Sequence, residues 1–190
     1  GYLKMCGICG IFNYGSHEPA NLEQLQAMND TLRHRGPNDE GRYTDGDLGL
    51  AMRRLSIIDI GGGKQPIHNE DRTIWIVLNG EIFNYQELKR NLISKGHTFY
   101  TRSDTETIVH LYEEYGDGCV NYLRGMFAFA LWDSPSRSLL LARDRVGIKP
   151  LFYSDTGKGE LLFASEPKAL LASPKVSRDM DRQGLDAYFA

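Results

Sequence analysis

No long apolar stretch interrupts this chain: its longest unbroken apolar run, residues 126–132, falls far short of the roughly 20 residues a membrane helix needs. No basic-then-apolar segment opens it, so no secretion signal is read and a cytoplasmic location is expected. It also lacks any block of like charge. With 22 Lys and Arg against 25 Asp and Glu, net charge is −3, which leaves no electrostatic footprint for nucleic acid or an anionic membrane and points to a small ligand. Cysteine is scarce, and three of them without a secretory signal imply free thiols rather than a disulfide framework. There is no internal repeat and no low-complexity tract. What remains is a chain of 190 residues with an ordinary apolar fraction of 41%, enough for one well-packed domain.

Periodicity supplies the elements. A strand-like run opens at Cys6-Gly7-Ile8-Cys9-Gly10-Ile11-Phe12. Asn21 then caps a helix whose Leu22, Leu25, Met28 and Leu32 recur at helical spacing, with Gln24 placed for a capping box. Asp45-Gly46 joins two alternating runs, 41–44 and 48–54, as a hairpin. The apolar run 73–78 reads as a strand buried on both faces that stops at Asn79-Gly80-Glu81. Asn84 with Glu87 starts a second helix that Gly96 ends, and Asp104 caps a third carrying Ile108, Leu111, Tyr112 and Tyr115 on one face. Strands follow at 126–132, 138–142, 151–153 and 161–164, and core patterning stops after Ser173-Pro174. Strands that follow one another without an intervening helix predict an α+β fold, with mostly antiparallel sheets and helices on their outer faces.

Cys6 is the residue with the most chemistry in reach. A cut after Met5 would give one residue both a thiol, with an ordinary pKa of about 8.5, and an α-amine at about 7.7–8.0, so that proton transfer between them is nearly thermoneutral. Residues 1–5 are read on this basis as a removable leader or expression remnant. While they remain attached, the nitrogen is an amide and offers the thiol no such base.

The ordered blocks Met5-Cys6-Gly7-Ile8, Arg33-His34-Arg35-Gly36-Pro37, Arg54-Leu55-Ser56-Ile57-Ile58-Asp59, Asn79-Gly80-Glu81-Ile82-Phe83-Asn84 and Ser103-Asp104-Thr105-Glu106 resemble the glutamine-hydrolysing asparagine synthetases. The resemblance continues through Arg124-Gly125-Met126-Phe127, Arg143-Asp144-Arg145-Val146-Gly147-Ile148-Lys149-Pro150 and Phe163-Ala164-Ser165-Glu166, nearly the whole chain from Met5. It implies an N-terminal-nucleophile (Ntn) hydrolase fold, a four-layer αββα sandwich of two mostly antiparallel sheets, acting as a class II glutamine amidotransferase domain. Carried over block by block, the catalytic residues are Cys6 as nucleophile, with the Asn79 amide and the Gly80 N–H as oxyanion donors. Arg54 is matched to the glutamine α-carboxylate, Glu81 and Asp104 to its α-ammonium, and Leu55 and Ile57 to backbone contacts. The resemblance places the amidotransferase domain at residues 6–172 and makes 173–190 a connector toward a synthetase domain that would take the ammonia. ATP and magnesium are expected only in that domain, with no cofactor in this one. L-glutamine is the expected small-molecule partner, no nucleic acid or membrane partner is expected, and a homodimer is left open.

Other readings are open to these residues. Without the leader's removal, the chain could instead be a catalytically silent scaffold domain, and another ammonia acceptor, or another amidotransferase of the same superfamily, is compatible with the blocks. Cys9 and Cys119 read as inert core. The Cys6-x-x-Cys9 spacing sends its side chains to opposite faces of a strand, and no second cysteine pair or nearby histidine pair completes a metal site, so no metal ligands are expected. Gly61-Gly62-Gly63-Lys64 lacks the first glycine and the hydroxyl residue of a phosphate loop, and Pro66 opposes the helix that should follow. His34 reads as structural. Arg124 and the Arg143-Asp144-Arg145 run are expected to form scaffold ion pairs.

Overall fold

The computed structural model describes residues 6–55 and 64–179. In chain order these form β1 (Gly7–Phe12), α1 (Leu22–Thr31), β2 (Asp39–Asp45), β3 (Leu48–Arg54), β4 (Ile67–His68), β5 (Ile74–Ile82), α2 (Tyr85–Ser94) and α3 (Asp104–Tyr115). After a 3₁₀ segment, Gly116–Tyr122, come β6 (Gly125–Asp133), β7 (Ser138–Arg143), β8 (Phe152–Asp155), β9 (Leu161–Ala164) and the short α4 (Pro167–Leu170). Two sheets result, a five-stranded one in the order β2-β3-β1-β9-β8 and a four-stranded one in the order β4-β5-β6-β7. All strand pairs in both are antiparallel.

Side-chain alternation assigns the layers. In β1, Cys9 and Ile11 pack with Leu25, Met28 and Leu32 of the first helical layer and with Ala169 and Leu170 of α4. Ile8, between them in the alternation, packs the other way with Leu48, Leu50 and Met52 of β3, Phe163 of β9, and Val77, Ala130 and Trp132 of the second sheet. The second sheet turns Ile76, Leu78, Phe127, Phe129 and Leu131 outward onto Leu88, Leu92, Ile108 and Leu111 of α2 and α3. The order is therefore helices, sheet, sheet, helices: the αββα sandwich that the resemblance implies. Fully buried Trp132, Phe129 and Phe163 each contribute on the order of 1.5–3 kcal/mol of burial free energy or more. Among the described residues no helix is long and apolar enough to cross a membrane.

Local chemistry matches much of the sequence reading and departs from it at informative points. Asn21 caps α1 by accepting the Gln24 N–H at 2.9 Å. The cap of α3 is Ser103, whose hydroxyl accepts the Thr105 N–H at 3.2 Å. Asp104 is instead the first helical residue, and its carboxylate turns to another strand. Asn84 precedes α2, but its side chain ties the 3₁₀ segment, donating to the Tyr122 carbonyl and accepting from Arg124 N–H. β5 does not stop at residue 78. It runs on to Ile82 because Asn79, Gly80 and Glu81 stay in register with Ala128, Phe127 and Met126 of β6. The Asp144 carboxylate accepts N–H groups of Phe127, Ile148 and Lys149, and Arg143 donates to the carbonyls of Gly147 and Lys149. These two side chains therefore serve the scaffold through backbone hydrogen bonds where ion pairs were expected. Packing also continues beyond residue 172, since Val176 lies against the α1 side of the first sheet.

Candidate active site

Contacts between the sheets fix which strand ends meet. Phe12, at the far end of β1, lies edge-on to Trp132 with ring centroids 5.2 Å apart, and Tyr43 of β2 stacks on Trp75 at 4.0 Å. Trp132 and Trp75 face each other at the start of β5. The beginning of β1 and the end of β5 are therefore both at the opposite end of the sandwich, where strands of stacked sheets stay roughly aligned.

Three polar side chains converge there from the alternation already described. Cys6 is half-buried and packs against the inter-sheet cluster, two residues before Ile8 and on its face. Arg54 continues the row of Leu48, Leu50 and Met52, while its neighbour Arg53 turns toward α1, donating to the Asn29 carbonyl at 3.2 Å and pairing with Asp30. The β1–β3 register ends at Gly7 opposite Arg53, and one further step sets Arg54 across from Cys6. Asn79 shares the face of Val77 and is 1% exposed. Its amide nitrogen is buried with no hydrogen-bond partner among the described residues, a costly arrangement of about 1–3 kcal/mol that a ligand acceptor would relieve.

Backbone geometry adds a second donor. β4 pairs with β5 only at Ile76 and Trp75; beyond them the far edge of β5 has no strand partner among the described residues. Along that edge the Leu78 N–H donates to Gln65 Oε1 at 2.6 Å and the Ile82 N–H to Asp104 Oδ2 at 2.7 Å. Antiparallel alternation directs the Gly80 N–H to the same side, between those two. Glycine is required here: φ is 152°, and a Cβ would sit 2.1 Å from the Met126 carbonyl oxygen.

The carboxylates complete an anionic corner. Glu81 is exposed beside Gly80, and Asp104 is half-buried behind Ile82. Burial raises the Asp104 pKa, and the Glu81 charge raises it further, against hydrogen bonds that lower it. A bound cation would oppose both effects.

Supporting residues were not legible in the sequence. Arg35 Nε donates to the Cys6 carbonyl at 3.0 Å while its Nη1 pairs with Glu166 at 2.9 Å. Glu166 also takes His34 at 2.9 Å and Lys168 at 3.1 Å, which gives His34 the structural place expected of it. No spacing rule links positions 6, 35 and 166; the blocks containing them gave the only signal. Leu55 directly follows β3, whereas Ile57 and residues 61–63 of the glycine-rich loop lie outside the described residues, as do residues 1–5 and 180–190. Cys9 is fully buried and its thiol pKa is pushed far up by desolvation, and burial likewise raises Cys119 to about 11, consistent with inert thiols. A cavity of about 440 Å³ nearby is lined by residues including Leu123, Arg124, Phe127, Arg143 and Asp144. None of Cys6, Arg54, Asn79 or Asp104 lines it, so it is separate from this corner.

Comparison with known proteins agrees with the geometry. Residues 5–190 match the family model of the glutamine amidotransferase domain. Asparagine synthetase [glutamine-hydrolyzing] 2 of Bacillus subtilis is 47% identical over 179 residues, covering 93% of this chain and 24% of that protein. Asparagine synthetase [glutamine-hydrolyzing] 2 of Oryza sativa subsp. japonica is 45% identical over 166 residues, 87% of this chain and 28% of that protein. The chain thus spans about a quarter of the length of these curated relatives. Among solved structures, the glutamine phosphoribosylpyrophosphate amidotransferase of B. subtilis, complexed with ADP and GMP, superposes with a TM-score of 0.70 at 21% identity. It covers 88% of this chain with 43% of its own, and the shared fold is the Ntn-hydrolase sandwich. By fold, by matched length and by its relatives, the chain belongs to the glutamine amidotransferase domain family.

Proposed function

We propose that this domain hydrolyses L-glutamine to glutamate and ammonia with Cys6 as nucleophile, and that in a longer protein the ammonia feeds an asparagine-synthetase-type domain. The observation that carries this reading is the buried Asn79 amide, without a partner among the described residues, at the same end of the inter-sheet layer as Cys6. With Cys6 as first residue, its α-amine takes the thiol proton and the sulfur attacks the γ-carbonyl carbon. The carbonyl oxygen becomes an oxyanion held by Asn79 Nδ2 and the Gly80 N–H. Collapse breaks the C–N bond, the amine's proton leaves with ammonia, and a γ-glutamyl thioester remains on Cys6. Water, deprotonated by the same amine, cleaves the thioester to glutamate and restores the thiol.

Substrate orientation follows from charge. Arg54, beside Cys6, receives the α-carboxylate by a bidentate fork, and Asp104 with Glu81 receives the α-ammonium. Arg35 holds the Cys6 carbonyl, fixing the direction in which the thiol and amine project. No cofactor is required by these steps.

Glutamate release by a chain beginning at Cys6, compared with one retaining residues 1–5, tests the reading. The trimmed chain should be active and the longer one nearly silent. Equal activity in both would overturn the role of the α-amine, and inactivity of the trimmed chain would favour a silent scaffold domain.

A further inference from the structure

We propose that Glu70, His97, His110 and Glu113 form a structural site for one zinc ion on the outer helical layer, away from Cys6. Three separate segments supply the donors: Glu70 from the turn between β4 and β5, His97 from the connection between α2 and α3, and His110 and Glu113 one helical turn apart on α3. One ligand atom each from Glu70, His97 and His110 lies within 4.8 Å of the others. His110 Nδ1 is 2.6 Å from Glu113 Oε2 and 3.9 Å from Glu70 Oε2, and His97 Nδ1 is 3.3 Å from the same Glu113 oxygen. Zn–N and Zn–O bonds of about 2.0–2.2 Å set tetrahedral ligands roughly 3.3–3.5 Å apart. The separations of 3.3 and 3.9 Å bracket that value, and the 2.6 Å contact is the one that an ion between the two groups would lengthen. An N₂O₂ set of this kind suits zinc better than magnesium or calcium, which favour oxygen alone.

The second layer of contacts is also that of a metal site. Metal-bound histidines direct their other ring nitrogen at a carboxylate that fixes the ring. Here His97 Nε2 meets Glu114 Oε1 at 3.0 Å. His110 Nε2, fully buried and without a hydrogen-bond partner among the described residues, faces Glu106 Oε1 at 3.6 Å. The carboxylates are themselves oriented: Glu70 accepts the Thr98 N–H at 3.0 Å, Glu113 accepts the Asn69 amide at 2.9 Å, and Glu106 accepts the N–H groups of Tyr100 and Thr101 at 2.8 and 2.7 Å. Glu70 is exposed and leaves a path inward for the ion, while His110 is 0% exposed. Held there, zinc would pin the connection before α3 against the β4–β5 turn, and through Glu106 it would brace the segment leading to Asp104.

Zinc binding is tested on the Cys6→Ala chain, so that the accessible thiol is removed, by elemental analysis after dialysis and by titration with zinc and with cobalt(II) as a spectroscopic stand-in. The expected result is one ion per chain, a tetrahedral cobalt spectrum, a melting temperature raised by zinc but not magnesium, and affinity falling about 10- to 100-fold in Glu114→Gln. Glu70→Ala and His97→Asn should abolish binding while the circular dichroism of the folded chain persists, so the test does not depend on the buried His110. No stoichiometric binding, or binding that survives both variants, would overturn the proposal and leave the cluster an imidazolium–carboxylate clamp.

Discussion

Replacing Asn79 with leucine separates a catalytic amide from a structural one. The side chain is 1% exposed and its amide nitrogen has no partner among the described residues, so folding bears the desolvation of a donor, about 1–3 kcal/mol, with nothing returned by a hydrogen bond on that atom. Leucine has similar size and continues the apolar row begun by Val77; stability should therefore hold or rise, by up to about 1–3 kcal/mol. At this chain length each kcal/mol moves the melting temperature by about 2–4 °C. Activity should go the opposite way. An oxyanion donor contributes about 10²- to 10³-fold to kcat, or about 2.7–4 kcal/mol, and glutamine's KM should change far less because the amide contacts the oxyanion most strongly. Glutamate release kinetics and a thermal melt on the same preparation of a chain beginning at Cys6 read both quantities. A variant that loses stability but keeps kcat within a few-fold would refute the reasoning, because the amide would then be a packing element whose nitrogen merely went unpaired.

Two further outcomes follow from the charged groups. Asp104→Asn keeps an acceptor for the Ile82 N–H but removes the charge offered to an α-ammonium; KM for glutamine should rise about 10- to 100-fold, the equivalent of a charged hydrogen bond of about 1.5–3 kcal/mol, with kcat nearly unchanged. A fall in kcat with constant KM would argue against an ammonium-binding role. Glu166 is partly buried, which disfavours its charge, yet bonds from Arg35, Lys168 and His34 outweigh this and lower its pKa from 4.5 to about 2. A depressed carboxylate stabilises the fold above its unfolded pKa and loses that contribution as pH falls toward the folded one. The stability gap between the wild type and Glu166→Gln should thus be constant above about pH 5.5 and close between about pH 4.5 and 2; urea midpoints across that range measure it, and a gap insensitive to pH would contradict the Arg35–Glu166 clamp.

How far the sequence could be read depended on how local the deciding interaction was. The hairpin at Asp45-Gly46 and the Asn21 cap depend on neighbours within a few residues, and both stand where periodicity and turn chemistry put them. Alternation alone separated Cys6 from Cys9, the one facing the opposite sheet and the other α1. Failure came where a distant partner overrode a local signal. The apolar run reads as a strand that stops at Asn79-Gly80, but pairing with β6 carries it on to Ile82; Asp104 reads as a cap, but the Ile82 N–H claims its carboxylate and Ser103 caps instead. The Arg35–Glu166 clamp and the grouping of Glu70 with His97 and His110 join positions far apart in sequence, and neither follows any motif spacing. The shape of the fold was legible from pattern; the support of its corner required the packed sheets.

Covalent labelling by a glutamine-like electrophile, applied to a chain beginning at Cys6 and mapped by peptide mass, tests the central claim most directly. One adduct on Cys6, slowed by glutamine and undetectable on the buried Cys9 and Cys119, is the predicted result. Adducts spread over the other cysteines, or a Cys6 reaction indifferent to glutamine, would contradict it.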